Sequence, residues 1–202
     1  LIIGNTILFL QFGGEKACIM KMPFGFKKSF QFAALLLLAT CYLSCHEVYF
    51  EQPQPMEKRA LNKIPSKIRG LYAEEKDTIK VTATSVKGLA DDDYILNQGL
   101  VVKKFKGNYF FNFKEKDNGY WQVYLVKPYD GEGLQLYTLA MDEEADRAEV
   151  RKITPVRTTF DSDGNEDDYF LNPSKREWKK LFGRGLIRTD SKDGVIQRMK
   201  GD

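Results

Sequence analysis

The stretch "NYFFNFKEKDNGYWQVYLVK", Asn108 to Lys127, decides how this chain folds. Two runs rich in aromatic and β-branched residues flank "KDNG", and an Asn-Gly pair supplies the positive backbone angles that a tight turn between antiparallel strands requires. The runs are of strand length and partly alternate, so one set of side chains points to each face of the sheet. The same grammar recurs on both sides. "TIKVTATSV" (Thr78 to Val86) and "GLQLYTLAM" (Gly133 to Met141) read as further strands, with "KGN" at Lys106 and "YDGEG" at Tyr129 as dividers. The reading is an antiparallel meander.

Beyond the meander, strands are expected at Ala148 to Thr154, Pro155 to Phe160, Asp168 to Leu171 and Leu186 to Thr189. Between the last two, "NPSKREWKKLFGRG" reads as the one clear helix. Asn172 or Ser174 can cap it, Glu177 stands where a capping box needs it, and Gly183 or Gly185 ends it. Trp178, Leu181 and Phe182 make one apolar face that should pack on the sheet. The fold class is therefore all-β. The meander forms either a small barrel or a two-sheet sandwich, with one C-terminal amphipathic helix laid on it.

Upstream of this domain the composition changes. Met20 and Met22 precede a basic stretch with Lys21, Lys27 and Lys28, followed by 12 uncharged, mostly apolar residues from Phe32 to Leu43. That run is shorter than the roughly 20 residues a spanning helix needs, and a basic segment followed by ~7–15 apolar residues has the proportions of an export signal. Residues 1–19 read as an over-extended start, 20–44 as a signal peptide, 45–60 as an N-terminal tether and 61–202 as a single β-rich domain. The tether reading rests on "EQPQPMEK", Glu51 to Lys58, whose prolines and polar residues favour extended, solvated chain.

"YLSC", Tyr42 to Cys45, resembles the lipobox of bacterial lipoprotein precursors. The small residue before the cysteine fits and the leucine is displaced by one place; "LATC", ending at Cys41, is the competing site. The resemblance implies acylation of Cys45, removal of the preceding peptide and anchoring to a lipid bilayer. His46, standing where that family would place an aspartate for inner-membrane retention, points to the outer membrane of a Gram-negative envelope.

The chain has 31 basic and 28 acidic residues, but four lysines and Glu15 lie within residues 1–45, leaving 27 of each afterwards. No clustered basic footprint argues for nucleic acid. The basic excess of Pro173 to Asp202 reads as a solvated surface, with attraction to anionic headgroups as the rival. Cys18, Cys41 and Cys45 are the only thiols and His46 the only imidazole. The 157 residues after Cys45 therefore hold no disulfide framework and one histidine only, His46, so thiol or histidine catalysis within the domain is excluded. A carboxylate-dependent enzyme remains the rival to a non-catalytic binding or scaffold domain. Asp91 to Asp93 with Glu74 and Glu75 offer carboxylates, but nothing in their spacing makes them meet. No cofactor is implied.

Two features are candidate sites. Asp161, Asp163, Asn165 and Asp167 alternate with the oxygen-rich spacing of calcium loops, although Gly164 comes too early for an EF-hand and the same residues make a strong turn. The aromatic hairpin supplies Tyr109, Phe111, Phe113 and Trp121 as a wall for an apolar ligand, the alternative being plain core. "IRGLYAEE", Ile68 to Glu75, resembles the glycine-x-aromatic opening strand of lipocalin-like barrels, with Tyr72 at the aromatic place. This second resemblance implies a carrier of a small apolar molecule. An envelope protein is the other partner class.

Overall fold

The computed structural model describes residues 47–74, 77–89, 92–130, 133–189 and 195–199. The expected signal peptide, Cys41, Cys45, Glu75 and Asp91 lie outside them. In chain order the strands are β1 (Val48–Phe50), β2 (Gly70–Glu74), β3 (Asp77–Val81), β4 (Ser85–Leu89), β5 (Asp92–Leu96), β6 (Gly99–Phe105) and β7 (Asn108–Lys114). They continue as β8 (Trp121–Tyr129), β9 (Gly133–Leu139), β10 (Val156–Phe160), β11 (Glu166–Leu171), β12 (Ile187–Arg188) and β13 (Val195–Arg198). Two helices, α1 (Glu144–Arg151) and α2 (Lys175–Gly183), and a 3-10 turn at Ser66–Ile68 complete the set.

The sheet closes. Among the described residues, β2 through β9 form a ladder whose ends are joined by β13, which pairs with β2 on one side and β9 on the other. The result is a nine-stranded barrel rather than a sandwich. A ring of strictly alternating directions needs an even number of strands, so an odd ring must contain a parallel neighbour pair. β5 and β6 supply it, with Ile95 opposite Gly99 and Leu96 opposite Leu100. Outside the barrel, β1, β11 and β10 extend the sheet from the early part of β8.

This architecture explains the aromatic surplus of β7. Tyr109, Phe111 and Phe113 face the barrel interior, whereas Phe110 faces outward into a second core. That outer core joins Phe105, Phe110, Val123 and Leu125 of the barrel wall to Phe50, Tyr169, Leu171 and the Trp178 and Leu181 face of α2. β7 is consequently buried on both faces. The α2 cap is the expected box: Glu177 N donates to Ser174 Oγ at 3.3 Å and Ser174 N donates to Glu177 Oε2 at 2.6 Å.

Three expectations are corrected. Ala148 to Thr154 is not a strand: α1 runs through Arg151, because Glu144–Arg151 is built of good helix formers with Glu144 and Asp146 favouring its N-terminus. α1 is also tied inward, since Arg188 Nη1 and Nη2 donate to both oxygens of the buried Asp146 at 2.7 and 2.9 Å. "TIKVTATSV" is two strands, β3 and β4, because Thr82 Oγ1 accepts Ser85 N at 2.9 Å and closes a turn without glycine or proline.

The third correction concerns residues 45–60. From Val48 onward this is no solvated tether, since β1 joins the sheet and Gln54 is fully buried. Asn112 Nδ2 donates to Gln54 O at 3.0 Å, Gln54 N donates to Asn112 Oδ1, and Trp178 Nε1 donates to Gln54 Oε1 at 2.9 Å. The buried Lys103 ammonium donates to Pro53 O at 2.6 Å and Pro55 O at 2.9 Å. The polar composition that reads as solvated is instead satisfied from the barrel wall, as buried polar groups must be. Burial pulls the Lys103 pKa down, partly countered by the Glu57 charge.

Glu57 ends this strap at the start of α2, accepting Lys175 N at 3.1 and 3.0 Å. That amide holds the Glu57 carboxyl below its ordinary value. A depressed folded pKa contributes stability that is present above the ordinary glutamate value and is lost as pH falls through the lower folded one. Glu57→Gln should thus reduce the loss of stability between neutral pH and pH ~3, measured by urea unfolding at the two values. Equal acid sensitivity in both proteins would contradict the contact.

Gly88 has φ +75° and sits in the bulge between Lys87 and Leu89; a Cβ there would lie 2.4 Å from Thr78 O. The bulge lets both Val86 and Leu89 reach the interior. Gly88→Ala should cost about 2–4 kcal/mol, from a left-handed backbone and a clash with backbone rather than with a yielding side chain. Chemical denaturation reads this directly, and a loss within ~0.5 kcal/mol would refute the assigned strain.

Candidate functional site

Alternation on the barrel strands sends Ile79 and Val81 from β3, Val86 and Leu89 from β4, and Phe111 and Phe113 from β7 toward the axis. Tyr124 and Val126 from β8, Leu134 and Leu136 from β9 and Ile196 from β13 complete the wall, with Ile68 of the 3-10 turn below. They surround a cavity of about 160 Å³. Protein interiors otherwise have few voids larger than a water molecule. Tyr124 brings the one hydroxyl among these lining side chains.

One end is closed by construction. Ile68 and Tyr72 are fully buried, and the Tyr72 hydroxyl donates to Ile68 O at 2.7 Å. Arg198 crosses over the Tyr72 ring with its guanidinium carbon 5.5 Å from the centroid. Its Nη2 donates to Lys67 O at 3.0 Å, Arg69 O at 3.1 Å and the Tyr72 hydroxyl oxygen at 2.9 Å. The last barrel strand thereby fastens the 3-10 turn across the opening.

The other end is polar. Past Lys114 the half-buried Glu115 donates its N–H to Tyr120 O at 2.8 Å, which carries the β7–β8 pairing one residue further. On β5 the half-buried positions are Asp92 and Tyr94, with Asp92 in register with the cavity-lining Leu89. Tyr94 meets Phe113 edge-on, ring centroids 4.8 Å apart. Burial raises the Glu115 pKa, and the charges of Glu47, Asp117 and Asp92 raise it further against a smaller opposing effect of Lys116. Tyr94 is raised as well, by burial first and then by Glu115 and Asp92.

No family model, curated protein or solved structure matches this chain. Function must be argued from the barrel itself.

Of the four aromatic residues expected to form a ligand wall, the structure brings two to the cavity. Phe111 and Phe113 line it. Tyr109 belongs to the same core but lies beyond the void, its ring approached by the ammonium groups of Lys67 at 5.4 Å and Lys104 at 5.6 Å. Trp121 has the opposite parity on β8 from Tyr124 and packs against the outer core. The residues not anticipated are aliphatic, above all Val86, Leu134, Leu136 and Ile196. Period-two alternation in β9 is the sequence sign that could have found two of them.

The acidic loop stands apart from the cavity lining. Asp161 Oδ1 accepts Asp163 N and Asn165 N, each at 2.9 Å, and its Oδ2 accepts Asn165 Nδ2 at 3.1 Å. The carboxylate is therefore engaged in closing its own turn between β10 and β11. Among the described residues, no group of three His, Cys, Asp or Glu side chains is placed to hold a metal ion.

Proposed function

We propose that this chain is a non-catalytic binding module whose barrel holds one small apolar molecule. The observation that carries the reading is the cavity of about 160 Å³ with an almost wholly hydrocarbon wall. An engineered apolar cavity of about 150 Å³ stays dry and binds benzene, so the size fits a single ring or a short branched chain. Leaving such a void empty costs on the order of 4 kcal/mol at ~24 cal/mol per Å³, and a ligand of matching shape offsets that cost. The closed barrel, the Gly70-x-Tyr72 opening strand and the C-terminal helix also support a lipocalin-like carrier.

Calorimetry with uncharged 2-phenylethanol tests the reading. Saturable binding is expected, with stabilisation of about 2.7 kcal/mol at a ligand concentration 100 times Kd. Absence of binding would leave a scaffold, or docking to another envelope protein, as the better account.

The placement of this module is a second part of the proposal. The order of basic residues, apolar run and Cys45 supports export and lipid anchoring in the outer membrane. The fold begins by Val48, so an acylated Cys45 would hold the barrel close to the bilayer without a tether. Mass spectrometry of the mature N-terminus decides this: acylated Cys45 supports it, acylated Cys41 moves the site, and an unmodified chain starting at Met20 or Met22 removes it.

A further inference from the structure

We infer that the strands outside the barrel carry a second binding site, for a small zwitterion of the α-amino-acid type. The inference goes beyond the barrel reading and does not depend on it. Where β10, β11 and β1 end side by side, a pocket of about 250 Å³ opens. Register brings its walls together. Leu171 lies opposite Phe50 on one side and Val156 on the other, so Glu51, Asn172 and Pro155 stand next to one another at the end of the sheet. Arg157 and Phe170, paired across β10 and β11, form the rest of the wall on the face turned away from the outer core.

Thr154 also lines the pocket, is only 2% exposed, and its hydroxyl has no hydrogen-bond partner among the described residues. Buried polar groups are as a rule satisfied, so this one calls for a partner. The Arg157 guanidinium carbon sits 4.0 Å from the Phe170 ring centroid, and its Nη2 donates to the Tyr120 hydroxyl at 3.3 Å. Such a contact holds the guanidinium in place and leaves other donors for a carboxylate, which they fit two at a time. Glu51 supplies the opposite charge. Its Oε2 accepts Asn172 Nδ2 at 2.8 Å, and Asn172 Oδ1 is fixed in turn by Gln52 N at 3.2 Å and Gln54 Nε2 at 3.1 Å. Glu51 and Arg157 border one pocket, yet among the described residues neither enters an ion pair. Two opposite charges that share a pocket without meeting suit a ligand that carries both. Its carboxylate would take Arg157 and the Thr154 hydroxyl, its ammonium Glu51, and a short apolar side chain would lie along Pro155 and Leu171. A simple anion would meet Glu51 as a like charge, and a simple amine would meet Arg157 as one.

The test is an amide NMR titration of the full chain with L-leucine, 4-methylpentanoate and 3-methylbutylamine, which share one hydrocarbon body and differ in charge. Leucine should bind saturably and about tenfold or more tighter than either analogue. It should shift the amides of Thr154, Arg157 and Asn172 and leave those of Ile79 and Leu134, at the barrel cavity, where they are. Arg157→Gln should bring leucine down to the affinity of the amine, and Glu51→Gln to that of 4-methylpentanoate. Both side chains are exposed, so the fold should survive either change. Thr154→Val keeps the shape and removes the hydroxyl; it should weaken leucine and 4-methylpentanoate by about three- to tenfold and leave 3-methylbutylamine unchanged. No leucine binding at these amides, an analogue that binds as tightly as leucine, or an unchanged leucine affinity in Glu51→Gln and Arg157→Gln would overturn the inference. Shifts confined to the barrel residues would overturn it too, while supporting the barrel reading.

Discussion

Replacing Trp178 with alanine is expected to lower the free energy of unfolding by about 3–5 kcal/mol, a large part of the ~5–15 kcal/mol that holds a typical domain folded. Trp178 is fully buried where three parts of the chain meet. Its ring stands edge-on to Phe110 of the barrel wall at 4.9 Å and lies near Phe50 of β1 at 6.0 Å. Its Nε1 holds the Gln54 side chain at 2.9 Å. Truncation therefore opens a cavity in the outer core and leaves Gln54 Oε1 without this donor. Trp178→Phe keeps much of the packing and removes the donor, so its cost should be nearer ~1–3 kcal/mol. Denaturant unfolding of both variants measures the difference. A loss under ~1 kcal/mol in the alanine variant would mean that α2 and the N-terminal strap do not depend on this contact.

Filling the cavity should abolish binding while sparing the fold. Val86 is buried on β4 and lines the void. Val86→Phe places a ring where the ligand's ring would sit, and affinity for 2-phenylethanol should fall by about 100-fold or more, since even single methylenes shift such pockets by ~10–200-fold. Stability should change by no more than ~1–3 kcal/mol, because the added atoms enter existing space. A variant that is stable and still binds would place the ligand elsewhere.

The hairpin Asn108 to Lys127 was legible because aromatic alternation and an Asn-Gly turn are local properties. Which aromatic residues face a void was not, because both faces of β7 are buried, and local pattern cannot distinguish two cores from one. Barrel closure was equally invisible: it depends on β13, a four-residue strand near the C-terminus that bridges β2 and β9 from more than 50 residues away in sequence. α1 runs through the start of the strand expected at Ala148 to Thr154, because helix propensity and the buried Asp146 pair with Arg188, 42 residues away in sequence, prevail there. The strap was misread as well. Its residues are polar by composition, yet Asn112, Lys103 and Trp178, each distant in sequence, satisfy them. The ion pair of Lys116 with Asp92 follows the same rule, since 24 residues separate the partners and only the folded sheet brings them together.

The central claim is that the barrel interior is a ligand site, and methyl- and aromatic-resolved NMR during titration with 2-phenylethanol tests it most directly. The account predicts saturable shifts at Ile79, Val126, Leu134, Ile196 and the Phe111 and Phe113 rings, all of which border the void. Val150 and Leu181, buried in the outer core, should stay where they are. No saturable shift at the interior residues, or shifts confined to the outer core, would contradict it.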